Sequence, residues 1–129
     1  MNKIEFIEKK FFEELVNKNS NDCYIAIIDG KENKDWNSYR DTIERLFKFP
    51  TKKNNYDGYS DWMRDLSWIE SDSFILCITN YDDFLSTNLE EKKIIMNMFQ
   101  NTILPWWDEE VVKFVVDGER KKFNIFIVE

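Results

Sequence analysis

The sequence predicts an α/β protein: a small, largely parallel β-sheet flanked by helices. Three observations lead there. Short apolar runs at residues 23–28 and 74–78, and the alternating, mostly apolar stretch 123–128, are rich in β-formers, as expected of buried strands. Longer stretches between them carry apolar residues at helical spacing. The 129 residues include only 3 glycines and 2 prolines, too few for the many tight turns of an all-β chain.

Taken in order, Ile4, Ile7, Phe11, Leu15 and Val16 recur at helical spacing, with Asn2 and Glu5 placed to cap the helix. The polar stretch 17–22 ends it, so residues 1–21 are expected to form a helical extension. The first strand, 23–28, stops at Asp29-Gly30. Asp35 is placed to cap a second helix, whose inner face carries Trp36, Tyr39, Ile43, Leu46 and Phe47 and which Pro50 closes. A polar loop, 51–55, leads into a third helix expected over 56–68. The second strand is 74–78. Thr87 and Glu90 form a capping box for a fourth helix, with Ile95, Met98, Phe99, Thr102 and Ile103 facing inward and Pro105 ending or kinking it. Residues 123–128 are the last strand. Residues 111–116 read either as an additional strand, joined to it through the hairpin signal Asp117-Gly118, or as helix, with the strand preferred. No repeat or linker divides the chain, so residues 1–129 are read as one domain.

Composition narrows the function. Hydrophobic residues at 43% and aromatics at 16% supply a core without metal or disulfide staples. Cys23 and Cys77 lie in apolar runs and read as small buried hydrophobes of a reducing compartment, although spacing alone leaves a disulfide open. The chain has no histidine, which removes the commonest general base and the Ser-His and Cys-His nucleophile pairs. Neither a secretory signal nor an apolar run of membrane length is visible. The expectation is therefore a cytoplasmic protein that is not an enzyme, has no cofactor, metal or catalytic residue, and is monomeric when free. The net charge of −7 disfavours direct contact with nucleic acid and suits a basic protein partner.

The third helix carries the main functional signal. At about 100° per residue, Asp57, Asp61 and Asp65 fall within an arc of roughly 80°, opposite Tyr59, Trp62, Met63 and Leu66. One face can pack on the sheet while the other presents carboxylates. Like charges at this spacing repel, and a cationic partner would relieve them. Most charge rows are simply solvated faces. Asp57 has a further local role in the first turn, where it favours the helix dipole. Trp106-Trp107 before Asp108-Glu109-Glu110 reads as core packing, the commoner case, or as a second contact patch. Glu90 and Glu91 read as first-turn acids, and residues 29–35 lack the spacing of a calcium loop.

The stretch Ile27-Ile28-Asp29-Gly30, then Tyr39 through Phe49-Pro50, then Asn54-Asn55-Tyr56-Asp57-Gly58-Tyr59-Ser60-Asp61-Trp62-Met63-Arg64-Asp65-Leu66 resembles the barstar family, intracellular inhibitors of barnase-like ribonucleases. The family's asparagine, x, aspartate, small, bulky, x, aspartate register is filled by Asn55, Asp57, Gly58, Tyr59 and Asp61. The likeness is specific over about residues 23–78 and topological beyond. It implies a three-stranded parallel sheet with helices, and an immunity-type protein that plugs a basic ribonuclease toxin, its carboxylates taking the place of RNA phosphate. It also implies a partner-binding set led by Asp61, then Asp57, with Asp65, Asn54, Ser60 and Arg64. Two departures point to a partner other than barnase itself. Thr51-Lys52-Lys53-Asn54 stands where the family carries an aromatic pair and glycine, and a family tryptophan falls on Ser60. A non-inhibitory interaction module with the same fold, and a carboxylate enzyme using magnesium, are the competing readings.

Overall fold

Phe74, Leu76 and Ile78 alternate with Ile75 and Cys77 along one strand, so the strand turns two apolar faces outward and needs cover on both. The computed structural model, which describes residues 1–18 and 23–129, supplies that cover. The sheet contains β1 (Ile4–Ile7), β2 (Tyr24–Asp29), β3 (Ser73–Thr79) and β4 (Lys122–Val128), all parallel, in the order β1-β4-β3-β2. Register aligns Ala26 with Leu76 and Ile28 with Ile78, and Phe74 with Phe123 and Leu76 with Ile125. These side chains form the floor of the main core.

On that floor lie α2 (Trp36–Leu46), α3 (Tyr56–Met63) and a long C-terminal helical arm beginning with α4 (Leu89–Met98). Tyr39, Ile43, Phe47, Tyr59, Met63, Ile95 and Phe99 are fully buried between the layers. The caps are side-chain acceptors, as helix starts require: Asp35 accepts the Ser38 amide at 2.8 Å, Asn55 that of Gly58 at 2.8 Å and Asn88 that of Glu91 at 3.1 Å. The last replaces the expected Thr87–Glu90 box, because the Thr87 hydroxyl donates to the Lys34 carbonyl instead.

The N-terminal segment differs from its expected single helix. Ile4–Ile7 is a strand against β4, and only Lys9–Asn17 forms a helix, α1. The three-residue spacing of Ile4 and Ile7 suits one face of a helix; in the strand it sends them to opposite faces of the sheet, and pairing with the open edge of β4 outweighs the helical signal. Asn2 caps no helix. Its side chain donates to the Lys121 carbonyl (3.0 Å) and accepts the Phe123 amide (2.9 Å), pinning β1 to β4. The α1 helix covers the second face of the sheet, where Phe11 meets Phe126 edge-on. The expected end of the extension, residues 19–21, lies outside the described residues.

The C-terminal arm also departs from expectation. Helical backbone continues from α4 through two wide turns, Phe99–Ile103 and Trp106–Glu110, into α5 (Val111–Phe114). Pro105 neither ends nor breaks it. Its φ of −62° is helical, and the wide turns on either side accommodate the missing N–H and the ring. Residues 111–116 are thus not a strand. Val111 packs into the core as helix, and the fourth strand comes from the N-terminus instead.

The open disulfide question also closes. Cys77 sits opposite Ile27, four positions along from Cys23, or about 13 Å, whereas bridged cysteines need their Cα atoms within about 7 Å. Both are free thiols, and burial pushes the Cys77 thiol up to about 11.

Candidate functional site

The α3 helix is short and held from several directions. Tyr59 points into the core, its hydroxyl 2.6 Å from that of Tyr39, and burial raises both phenols well above their usual range. Tyr56 meets Trp36 edge-on and donates to Glu91 Oε2 at 2.6 Å, joining the start of α3 to the first turn of α4. That bond, with a smaller contribution from burial, pushes the Tyr56 hydroxyl up to about 12. At the other end Trp107 donates its indole N–H to the Met63 carbonyl at 2.9 Å, so Trp107 is core. Trp68 does the same to Phe47 at 2.7 Å. Because the inner face is fixed this way, the outward residues are fixed too.

Asp57 and Asp61 lie exposed on that outer face, one helical turn and about 6 Å of rise apart. Asp65 does not extend the row. The helix ends at Met63, Leu66 turns to a φ of 52° to bury its side chain, and the Asp65 carboxylate accepts the Ser67 amide in the following turn. The expected row of three is therefore two. Ser60 is 5% exposed and accepts from Arg64 Nε at 3.2 Å. It faces inward and offers a partner no surface. Asn54 is exposed in the loop before the cap.

Arg64 reaches across to Asp61, Nη2 to Oδ1 at 3.0 Å, with the carboxylate side chain 68% exposed. Such solvated pairs contribute about 0.2–1 kcal/mol, so the carboxylate stays open to exchange. None of the ion pairs among the described residues engages Asp57. Lys53 lays its aliphatic chain over Gly58 and its ammonium 5.2 Å from the Trp62 ring. The surface thus alternates acid and base rather than forming a purely acidic ridge. Glu91, read from sequence only as a dipole acid, is brought beside α3 by Tyr56. It is an acid of a later helix bonded directly to α3, and no spacing in the sequence signals it. Among the described residues no carboxylates and thiols group to hold a metal ion.

The family model for barstar (barnase inhibitor) matches residues 23–124. The chain belongs to the barstar family. The match takes in β2 through the start of β4, including α3 and its cap, and leaves β1 and α1 outside it. Barstar-family proteins are inhibitors rather than enzymes. No curated protein and no solved structure matches this chain.

Proposed function

We propose that this barstar-family chain is a cytoplasmic immunity-type protein that binds a basic ribonuclease toxin one to one as a monomer and covers its active site. Asp61 and Asp57 take the place of RNA phosphates, accepting forked hydrogen bonds from the cationic groups that would hold the substrate. The observation that supports this most is the exposure of both carboxylates on a helix anchored through Tyr59, Tyr56 and Trp107. Little has to be ordered on binding, which lowers the entropic cost. Arg64 is no obstacle. Ser60 and the Trp106 ring, 5.4 Å away, still hold it when a partner cation takes Asp61.

The test is to titrate the chain into a panel of basic barnase-type ribonucleases, including any nuclease encoded beside its own gene, and to follow RNA cleavage. Inhibition complete at equimolar ratio is expected for at least one. Asp61→Ala should then weaken binding by about 2 kcal/mol or more, roughly 30-fold, a size borrowed from truncated interfacial charge pairs in general, barnase–barstar among them. Unchanged affinity would remove the mimicry. The cations flanking α3, Lys53 and Arg64, favour a second reading, a non-inhibitory interaction module. It predicts stable binding to a protein without nuclease activity and no protection of RNA by the chain.

A further inference from the structure

The helical arm ends in a feature that the α3 site does not explain. Phe114 is 74% exposed and Val116 91% exposed, with Val112 and Val115 also open. A run of exposed apolar residues costs solubility and signals contact surface when it persists. This one is rigid. Phe114 stacks on Trp106 at 6.2 Å with ring planes 9° apart. The chain then turns sharply: Asp117 takes a φ of 59°, the Gly118 amide donates to the Val115 carbonyl, and a Cβ at Gly118 would stand 2.4 Å from the Val111 carbonyl oxygen. Phe114, Val115 and Val116 are therefore held out as a fixed knuckle.

The knuckle is continuous with α3. Asp61 pairs with Arg64, the Arg64 guanidinium lies over the Trp106 ring, and that ring also stacks on Phe114. The exposed charged residues of segment 109–122 are the acids Glu109, Glu110, Asp117 and Glu119 and the bases Lys113, Arg120 and Lys122. A second copy of this chain would bring the same net −7 against those acids, whereas a basic protein would not.

We propose that this apolar knuckle is a second anchor for the basic ribonuclease that meets Asp57 and Asp61, seated in an apolar recess of that partner beside its cationic cleft. The inference rests on the reading above. Aromatic side chains with an already fixed conformation are the usual high-affinity anchors. They act on dissociation, while peripheral charges act on association.

The test uses whichever panel ribonuclease the unaltered chain inhibits, in catalytically inactive form, with binding kinetics measured over a range of salt. Val116→Ser should leave the thermal midpoint in place, since its side chain is 91% exposed, and Phe114→Ser should lower it only slightly, through loss of the Trp106 stack. Phe114→Ser should weaken affinity about tenfold through faster dissociation, with the salt dependence of association unchanged. Asp61→Ala should weaken binding in the same assay. If both serine variants bind as tightly as the unaltered chain while Asp61→Ala is weakened, the knuckle proposal fails and the nuclease reading stands. If no ribonuclease is bound by the unaltered chain, both fail. A dimer in sedimentation that Phe114→Ser dissociates, with ribonuclease affinity intact, would assign the knuckle to a second copy and also overturn the proposal.

Discussion

A Cβ added at Gly30 would stand 2.0 Å from the carbonyl oxygen of Asn80 and 2.9 Å from the Phe84 amide nitrogen. Both are backbone atoms of the segment following β3, so nothing there can swing aside. At Gly58 the same addition meets only the aliphatic chain of Lys53, at 2.8–3.0 Å, which can move over the helix surface. The two glycines look alike in sequence, yet opposite results are expected. Gly30→Ala should destabilise by roughly 3 kcal/mol, the upper range for overpacking. Gly58→Ala should be neutral or stabilise by about 0.5 kcal/mol, because alanine is the better helix former. Denaturant midpoints at constant slope would check both. The sequence reading of Asp29-Gly30 as a strand stop was correct. The reason for the glycine was hidden, because the atoms that exclude a side chain belong to a distant segment.

Tyr56 shows how one element is tied to the next. Its hydroxyl donates to Glu91, and ionisation would both remove the donor and set a phenolate beside a carboxylate. The sign follows. A phenol raised above its unfolded value of about 10 stabilises the fold below that pH and loses the contribution as pH rises towards about 12. Tyr56→Phe should therefore be less stable than the unaltered chain at neutral pH, and the gap should close between about pH 10 and 12. Thermal midpoints of both proteins across that window would show it, and a constant gap would mean the bond contributes nothing. At this scale the sequence was partly legible. The outward Asp57 and Asp61 follow from local spacing. The loss of Asp65 does not, because α3 stops where Leu66 turns into the core. The long arm is similar: 111–116 is apolar enough for a strand, and Val111 becomes helix through tertiary packing.

Strand and helix alternation, the parallel sheet and the layer that carries α3 all follow from apolar periodicity, since a strand covered on both faces leaves an unbroken apolar run. The fourth strand left no such trace, because β1 is four residues long, lies at an edge and leaves Glu5 and Phe6 exposed. Its place is set by β4, which needs a partner on its free side. Open strand edges pair with other chains, and here β1 takes that role through its ladder, the Asn2 bonds and burial of Ile7. The α1 helix does the same for the face bearing Phe126. Deleting residues 1–18 would uncover both and remove the Asn2 bonds to Leu104 and Asp108 of the helical arm, while the direct anchors of α3, through Tyr39, Glu91 and Trp107, would remain. The deletion should cost about 3 kcal/mol or more, given that a fully buried Ile or Phe alone contributes about 1.5–3, and should promote concentration-dependent association. Whatever fraction remains monomeric should keep the affinity of the α3 site. Scanning calorimetry and sedimentation on the shortened chain would test the first two claims. An unchanged midpoint with a purely monomeric species would show that β4 tolerates a bare edge and that β1 is an ornament on the family fold rather than its fourth strand.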